Sequence, residues 1–190
     1  MRRLGVAVVA LTAALSACGT TSGPSTAPAC AHGDVHGNVL ILMAQSVPSA
    51  TYVPCITEFP AGWTFGGEDI DAGDAYFWLD SDRAGPRAVT VSLTRSCDTA
   101  GAVRVPVEPD EAGTVRYERP ISLPPHYVAD RYYTFPGGCV TYAFSFQQGA
   151  TFTQALEATG ALTFFSRELG VRLLQRDGLT LCGAGVDCPG

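Results

Sequence analysis

The amino-acid sequence predicts an α+β fold: an antiparallel sheet of roughly five to six strands, helices packed on one face, and disulfides that staple the domain. Three observations lead to this fold class. Segments that alternate apolar and polar residues fill the middle of the chain, helical spacing follows them, and an even set of cysteines remains once the first is set aside. The 190 residues suit one domain, and 46% hydrophobic residues are enough for a core.

The first predicted elements are a helix and a short strand. Asn38–Val47 is a nearly unbroken apolar run that Pro48 ends, and a run of this length is compatible with either a buried helix or a buried strand. We favour a helix, with Asn38 as its N-cap. The residues Thr51–Ile56 then predict a strand.

Two hairpins and a further strand follow. Asp74–Leu79 and Ala88–Leu93 flank a turn sequence and predict the first hairpin. Tyr127–Phe135 and Cys139–Phe146, joined by Pro-Gly-Gly, predict the second hairpin. Between the two hairpins, Thr114–Ile121 predicts one more strand.

Helical spacing begins after the second hairpin. Thr151 and Gln154 fit a capping box, and apolar residues at spacings of three and four predict a helix that includes Ala155–Phe165. We expect Ser166 to open a second helix that Gly178 ends.

The residues before the first long strand offer a weak likeness to a known fold. Pro60-Ala61-Gly62-Trp63 resembles the Pro-x-Gly-Trp motif of Mog1/PsbP-like domains, a group that includes bacterial lipoproteins. The resemblance implies an α+β domain and says nothing about activity.

The N-terminus has the parts of a secretory signal. Two arginines precede the apolar run Leu4–Leu15, which is too short to span a ~30 Å hydrocarbon core as a helix. The run ends in Leu15-Ser16-Ala17-Cys18, which resembles the lipobox of bacterial lipoprotein precursors. That resemblance implies cleavage before Cys18 and a diacylglycerol on its thiol, whereas an ordinary secretory signal is the alternative. No later stretch of the sequence reaches transmembrane length.

This reading divides the chain into three parts. Residues 1–17 are the predicted lipoprotein signal peptide, residues 18–29 the lipidated cysteine with a flexible tether, and residues 30–190 a single extracytoplasmic domain. Removal of the signal takes away two arginines and no acid, so the net charge changes from −6 to −8. A chain this acidic is not drawn to anionic headgroups, and its predicted membrane attachment depends on the lipid of Cys18.

Charge and composition also exclude several activities. The chain has no lysine, which rules out a Walker-type phosphate loop, Schiff-base chemistry and a Ser-x-x-Lys nucleophile. The acidic balance argues against general nucleic-acid binding. The sequence implies no cofactor.

Six cysteines remain after Cys18, and an even number outside the cytoplasm predicts three disulfides. Sequence alone allows fifteen pairings of six cysteines. The pairing that we favour joins neighbours in the predicted elements: Cys30 with Cys55, Cys97 with Cys139, and Cys182 with Cys188. A zinc site or a redox pair is the alternative, but no Cys-x-x-Cys occurs.

One short segment suggests metal binding. Gly33-Asp34-Val35-His36-Gly37 resembles the first metal motif of calcineurin-like metallophosphoesterases, but the Asn-His pair and later histidines of that family do not occur, so we reject this enzyme class. His32, Asp34 and His36 remain a candidate site for a transition metal, because alternate side chains of an extended segment share a face. A solvated junction between tether and domain is the favoured alternative.

Acidic clusters and a lone histidine complete the candidate sites. The first cluster offers oxygen ligands for Ca²⁺ but lacks the EF-hand pattern, so an exposed acidic loop is favoured: Glu68, Asp69, Asp71 and Asp74. The second cluster is expected to be a solvated loop: Glu108, Asp110 and Glu111. His126 is the single candidate general base of the predicted core, and one surface histidine is more often inert.

Aromatic residues occur on both faces of the predicted sheet, because neighbours such as Tyr76-Phe77-Trp78 point in opposite directions along a strand. One set belongs to the core. The other is either covered by helices, which we favour, or forms a ligand groove or a partner patch.

These observations predict a cell-envelope lipoprotein that faces outside the cytoplasm and works by binding an envelope ligand or a membrane-protein partner, not by catalysis. The alternatives are an envelope hydrolase or metal-binding protein that uses His32, Asp34, His36 or acidic-loop carboxylates, and a structural cell-wall protein. Convergent carboxylates with perturbed pKa values favour the enzyme, whereas an apolar cavity between sheet and helices favours ligand binding.

Overall fold

The computed structural model describes residues 27–30, 39–147 and 150–183, except for the side chain of Asp110. Three α-helices lie in this part of the chain: α1 (Val39–Ser46), α2 (Phe152–Gly160) and α3 (Arg167–Arg176). The strands are β1 (Tyr52–Ile56), β2 (Trp63–Asp71), β3 (Asp74–Ser81), β4 (Gly85–Thr94), β5 (Val103–Val105), β6 (Val115–Ser122), β7 (Val128–Phe135), β8 (Gly138–Ser145) and β9 (Leu162–Ser166). A short 3₁₀ turn covers Pro109–Glu111.

Seven strands form one antiparallel sheet in the order β2-β3-β4-β8-β7-β6-β5. The predicted hairpins are confirmed as β3–β4 and β7–β8, and the pairing of β4 with β8 joins the two halves. The antiparallel sheet is therefore as expected, but the expected five to six strands are too few. The described residues contain nine strands, and the other two form a separate sheet, β1–β9.

The helix predicted over Ala155–Phe165 is wrong in its second half. Helix α2 ends at Gly160, and Leu162–Ser166 forms β9, which pairs antiparallel with β1 so that Phe165 lies opposite Val53. Aromatic and β-branched residues favour strands, and a sequence-distant partner decides between the two structures. The other predicted helices are confirmed as α1 and α3, while Asn38 lies outside the described residues.

The core lies on one face of the large sheet. Val89, Val91 and Leu93 of β4 are fully buried, as their alternation predicts. Helix α1 contacts β1, β2 and β3, whereas α2 and α3 contact β9, and β1 itself contacts β4 and β8. The expectation of helices over one face is thus too simple, because the small β1–β9 sheet also covers the large one.

Two of the predicted disulfides are present. Cys30 pairs with Cys55 across a Cα–Cα distance of 5.1 Å, and Cys97 pairs with Cys139 across 5.7 Å. Cys188 lies outside the described residues, so its pairing with Cys182 stays a prediction.

No helix in the described part of the chain combines the length and the apolar character that crossing a membrane requires.

Candidate ligand-binding site

Strands β6 and β7 carry charged side chains on the face that points into the molecule. Glu118 lies directly opposite Arg131 in the strand register, and Arg116 lies opposite Tyr133. The Nε atom of Arg131 is 2.9 Å from Oε1 of Glu118, and that of Arg116 is 3.6 Å from the same oxygen. One carboxylate therefore lies between two guanidinium groups.

Glu111, the last residue of the 3₁₀ turn, extends this network. Its carboxylate accepts hydrogen bonds from Arg116 Nη1 at 2.9 Å, from the Tyr133 hydroxyl at 2.7 Å and from the backbone N–H of Glu108 at 2.9 Å. Glu111 is only 7% exposed, so the prediction of a solvated acidic loop is wrong for this residue. These three donors offset the cost of burying its charge.

Tyr133 is held in its neutral form by this environment. Burial raises the pKa of Tyr133, and the hydrogen bond that its hydroxyl donates to Glu111 raises the pKa further, whereas the charge of Arg131 opposes the shift. The hydroxyl is therefore a fixed donor within the network.

A second ion pair joins the same two strands. Arg119 Nη2 lies 2.7 Å from Oδ2 of Asp130, and the Tyr132 hydroxyl donates to the same oxygen at 3.0 Å. Burial, followed by the hydrogen bond to Asp130, raises the pKa of Tyr132 to about 12. The Arg119 side chain also donates to the carbonyl of Ala100, which ties the loop after β4 to β6.

A cavity of about 200 Å³ lies beside these ion pairs, between strands β6 to β8 and the first turn of α2. Its walls are mainly apolar and aromatic: Pro120, Leu123, Tyr127, Ala129, Phe144 and Phe152. Its charged side chains are those of Glu118 and Arg131, which share a face of the sheet with Ala129 and Phe144, whereas the Arg119 and Asp130 side chains lie on the opposite face with Ala143. The cavity thus has aromatic walls and a charged but compensated lining.

Local structure positions the cavity walls. Ala129 of β7 lies opposite Phe144 of β8, so both face the interior at the same level of the sheet. The Tyr127 ring lies 6.2 Å from both the Phe144 and the Phe152 rings. Phe152 opens α2 directly after the capping residue Thr151, whose backbone N–H donates to the Gln154 side chain at 2.6 Å.

Arg131 connects the sheet to the helix at the cavity. Its Nη1 donates to the Thr159 hydroxyl of α2 at 3.2 Å, and its guanidinium lies 5.9 Å from the Phe144 ring centroid. Arg131 is 8% exposed. The side chain is therefore held by a strand, a helix and an aromatic ring, which keeps the cavity lining in one arrangement.

Charge compensation determines what the cavity accepts. On the cavity face, Arg131 is paired with the carboxylate of Glu118 at 2.9 Å. A charged ligand group would have to displace one of these partners, whereas an uncharged apolar group contacts the aromatic walls without disturbing them. The arrangement therefore favours binding of an apolar group.

A larger groove of about 670 Å³ runs along Pro48–Tyr52 and the start of α3. Gly183, the last described residue, lies beside it, because a Cβ added at this glycine would approach Pro48 within 2.7 Å and Arg167 within 3.6 Å.

Several predicted site residues lie outside the described part of the chain: Cys18, His32, Asp34, His36 and Cys188. Their lipidation, metal binding and disulfide roles stay predictions. The cavity residues were not among the predicted sites. Charged residues at inward positions of predicted strands could have indicated the cavity residues, but the sequence does not show which strands pair.

The first acidic cluster lies on the β2–β3 hairpin and not in a loop, and Asp69 accepts a hydrogen bond from the Tyr76 hydroxyl at 2.9 Å. Among the described residues, no group of three His, Cys, Asp or Glu side chains is placed to hold a metal ion. His126 lies exposed in the turn between β6 and β7, where its carbonyl accepts a hydrogen bond from Ser122.

The aromatic residues do occupy both faces of the sheet. Phe77 is fully buried, whereas Tyr76 and Trp78 are half-buried on the opposite face. Trp78 is covered by the Arg87 guanidinium, 4.0 Å from its ring centroid, and packs against the backbone of Gly66-Gly67. The expectation that helices cover this set is wrong for Trp78, because an arginine and the neighbouring strand do so.

Comparison with known proteins adds little. No protein-family model matches the chain, and no curated protein matches it. One solved structure that aligns with it is a crystal structure of a protein from Bacteroides thetaiotaomicron VPI-5482, with a TM-score of 0.31 and 11% sequence identity. The alignment covers 63% of this chain and 47% of that one, so the chain spans about half the length of that protein.

Proposed function

We propose that this chain is a lipid-anchored extracytoplasmic protein that binds a small apolar ligand without catalysing a reaction. The observation that carries the proposal is the cavity of about 200 Å³ between the sheet and α2, whose walls are aromatic and whose charged residues are paired with each other. Binding sites of this kind are concave and mainly apolar with a few fixed polar groups.

The two disulfides support the proposed compartment. Cys30–Cys55 and Cys97–Cys139 are separated by 25 and 42 residues, and such structural bridges persist where the environment is oxidising. In the proposal, the mature chain begins at Cys18, residues 19–29 form a tether, and residues 30–190 form the α+β domain. The lipid on Cys18 holds that domain at the outer face of the cell membrane.

The carboxylates support binding over hydrolysis. Glu118 on the cavity face of the sheet and Asp130 on the opposite face each lie within 2.9 Å of an arginine nitrogen. A general acid or base has to exchange a proton with a substrate, whereas these acids serve as partners for arginines.

Lipid attachment is tested by intact-mass measurement of the full chain expressed in a bacterial host. The wild-type chain should lose residues 1–17 and gain the mass of a diacylglycerol, and Cys18→Ser should gain no lipid. Ser25→Ala in the tether is the matched control and should behave as the wild type. Lipid-free wild-type protein would overturn the anchoring.

Ligand binding is tested by mass spectrometry of organic extracts from purified protein. Ala129→Leu places a larger side chain in the cavity, whereas Ala143→Leu changes the neighbouring strand on the opposite face. We expect a small molecule in extracts of the wild type and of Ala143→Leu that is depleted at least tenfold in Ala129→Leu. Equal extracts from all three proteins would contradict the proposal.

A further inference from the structure

We propose that the cavity beside α2 accommodates the end of one uncharged alkyl chain, about eight carbons of which lie within it. This inference rests on the proposed ligand-binding function and specifies its ligand. An apolar cavity of ~150 Å³ accommodates benzene, which corresponds to about 25 Å³ for each carbon atom. By the same measure, the cavity of about 200 Å³ has room for about eight carbons.

The lining excludes a charged end group. Arg131 Nε and Glu118 Oε1 lie 2.9 Å apart on the cavity face as an ion pair without hydrogen-bond geometry, so each charge has an opposite charge beside it without a ligand. A carboxylate would compete with Glu118 for its arginine, and an ammonium group would compete with the arginine for the acid. Methylene groups contact the aromatic walls and leave the Arg131–Glu118 pair intact.

The surface beside the cavity continues the apolar path. Leu123 is 72% exposed and Phe152 is 50% exposed, and both line the cavity. Leu156, 53% exposed, lies one turn after Phe152 on the same side of α2. Exposed large apolar side chains in one patch mark interaction surfaces, and here the patch offers a route for the part of a chain that extends beyond the cavity.

The tether places the domain near a source of such chains. Ala27, the first described residue, lies nine positions after Cys18, and a tether of this length spans at most about 30 Å when extended. A domain held so close to a membrane is surrounded by lipids with alkyl chains. The neutral lining favours a free alkyl end over a headgroup.

The test uses alkyl glucosides, which join an uncharged sugar to an alkyl chain of chosen length. Isothermal titration with the full chain carrying Cys18→Ser, which removes the attached lipid, compares chains from hexyl to dodecyl below their micelle concentrations. Each added methylene should tighten binding about fourfold. We expect this gain up to about eight carbons and little gain beyond them.

Charged probes of equal chain length test the lining. Octanoate and octyltrimethylammonium should bind at least tenfold more weakly than octyl glucoside. Tighter binding of either charged probe would overturn the assignment of an uncharged ligand. Affinity that keeps rising past decyl would indicate adsorption to a surface and would likewise overturn the proposal.

Variants locate the binding. Ala129→Leu should weaken octyl glucoside binding at least tenfold, whereas Ala143→Leu should change it less than twofold. Leu123→Ser alters a rim residue that is 72% exposed, so this variant should fold even where Ala129→Leu does not, and it should weaken decyl glucoside binding about three- to fivefold. Unchanged affinity in both Ala129→Leu and Leu123→Ser would refute the cavity as the site.

The two proposals fail differently. A ligand in the organic extract that depends on Ala129 but has no alkyl chain would overturn the alkyl assignment alone. Extracts without any cavity-dependent ligand, together with no alkyl glucoside binding, would overturn the proposed function as well.

Discussion

Glu111→Ala should destabilise the protein strongly, because this carboxylate is the buried partner of Arg116. Glu111 is 7% exposed, and the Arg116 side chain is 14% exposed. Without Glu111, Arg116 keeps only the Glu118 carboxylate, 3.6 Å from its Nε and shared with Arg131, so the cost should approach the value of about 3–5 kcal/mol for a broken buried pair. The Tyr133 hydroxyl and the Glu108 N–H lose their acceptor in the same step.

A double-mutant cycle separates the members of this network. Tyr133→Phe alone removes one hydrogen bond to a charged group, which should cost about 1.5–3 kcal/mol. The same substitution in Glu111→Ala should cost less, with a coupling energy of about 0.5–3 kcal/mol, because its acceptor is already gone. Glu58→Ala is the matched control, since Glu58 is exposed, and it should change stability by less than about 0.5 kcal/mol.

Urea unfolding followed by circular dichroism measures all four free energies of unfolding, provided that the disulfides stay oxidised. A cost below about 1 kcal/mol for Glu111→Ala would refute the reasoning, because it would place this carboxylate in water and not in the buried network. Additive single and double variants would show that the tyrosine and the acid do not interact.

Three further predictions concern other parts of the molecule. Folding raises the pKa of Tyr132 from 10.0 to about 12, so the stability that the neutral tyrosine contributes is complete below pH 10 and is lost between pH 10 and 12. Ultraviolet titration of phenolate should show one fewer high-pH transition in Tyr132→Phe than in the wild type. An unchanged titration curve would contradict this prediction. Replacing both cysteines of Cys97–Cys139 by serine should cost about 4 kcal/mol of unfolding free energy, as expected for a 42-residue separation, and a loss below 1 kcal/mol in thermal unfolding would count against it. Gly137→Ala should lower the melting temperature far more than Gly73→Ala. Both glycines have positive φ, but an added Cβ overlaps the carbonyl oxygen of Ser49 only at Gly137. Equal melting temperatures of the two variants would show that the β7–β8 turn does not pack against Ser49.

Local elements followed from short sequence signals. The β7–β8 hairpin was predictable, because its alternation and its Pro-Gly-Gly turn are adjacent in the chain. The start of α3 was equally predictable, since the Ser166 hydroxyl accepts a hydrogen bond from the N–H of Leu169 three residues later. In both cases the stabilising groups lie within a few residues of each other.

Elements that depend on distant partners were not predictable. The segment Leu162–Ser166 has spacings that fit a helix, and pairing with β1, more than 100 residues earlier, makes it a strand. In the sequence, nothing distinguishes Glu111 from an exposed loop acid, because its partner Tyr133 lies 22 residues later on β7. Propensity is a weak preference that such tertiary contacts override.

The sequence alone determined the antiparallel hairpins, the capped starts of α2 and α3, and an even set of cysteines suited to a disulfide-linked domain. Two disulfides are confirmed, although the sequence left their pairing open. Only the tertiary structure decided the cavity beside α2, because its walls come from β6, β7, β8 and α2. The physical reason is that a turn or a cap needs neighbours along the chain, whereas a cavity and a compensated buried charge exist only where distant strands and helices meet.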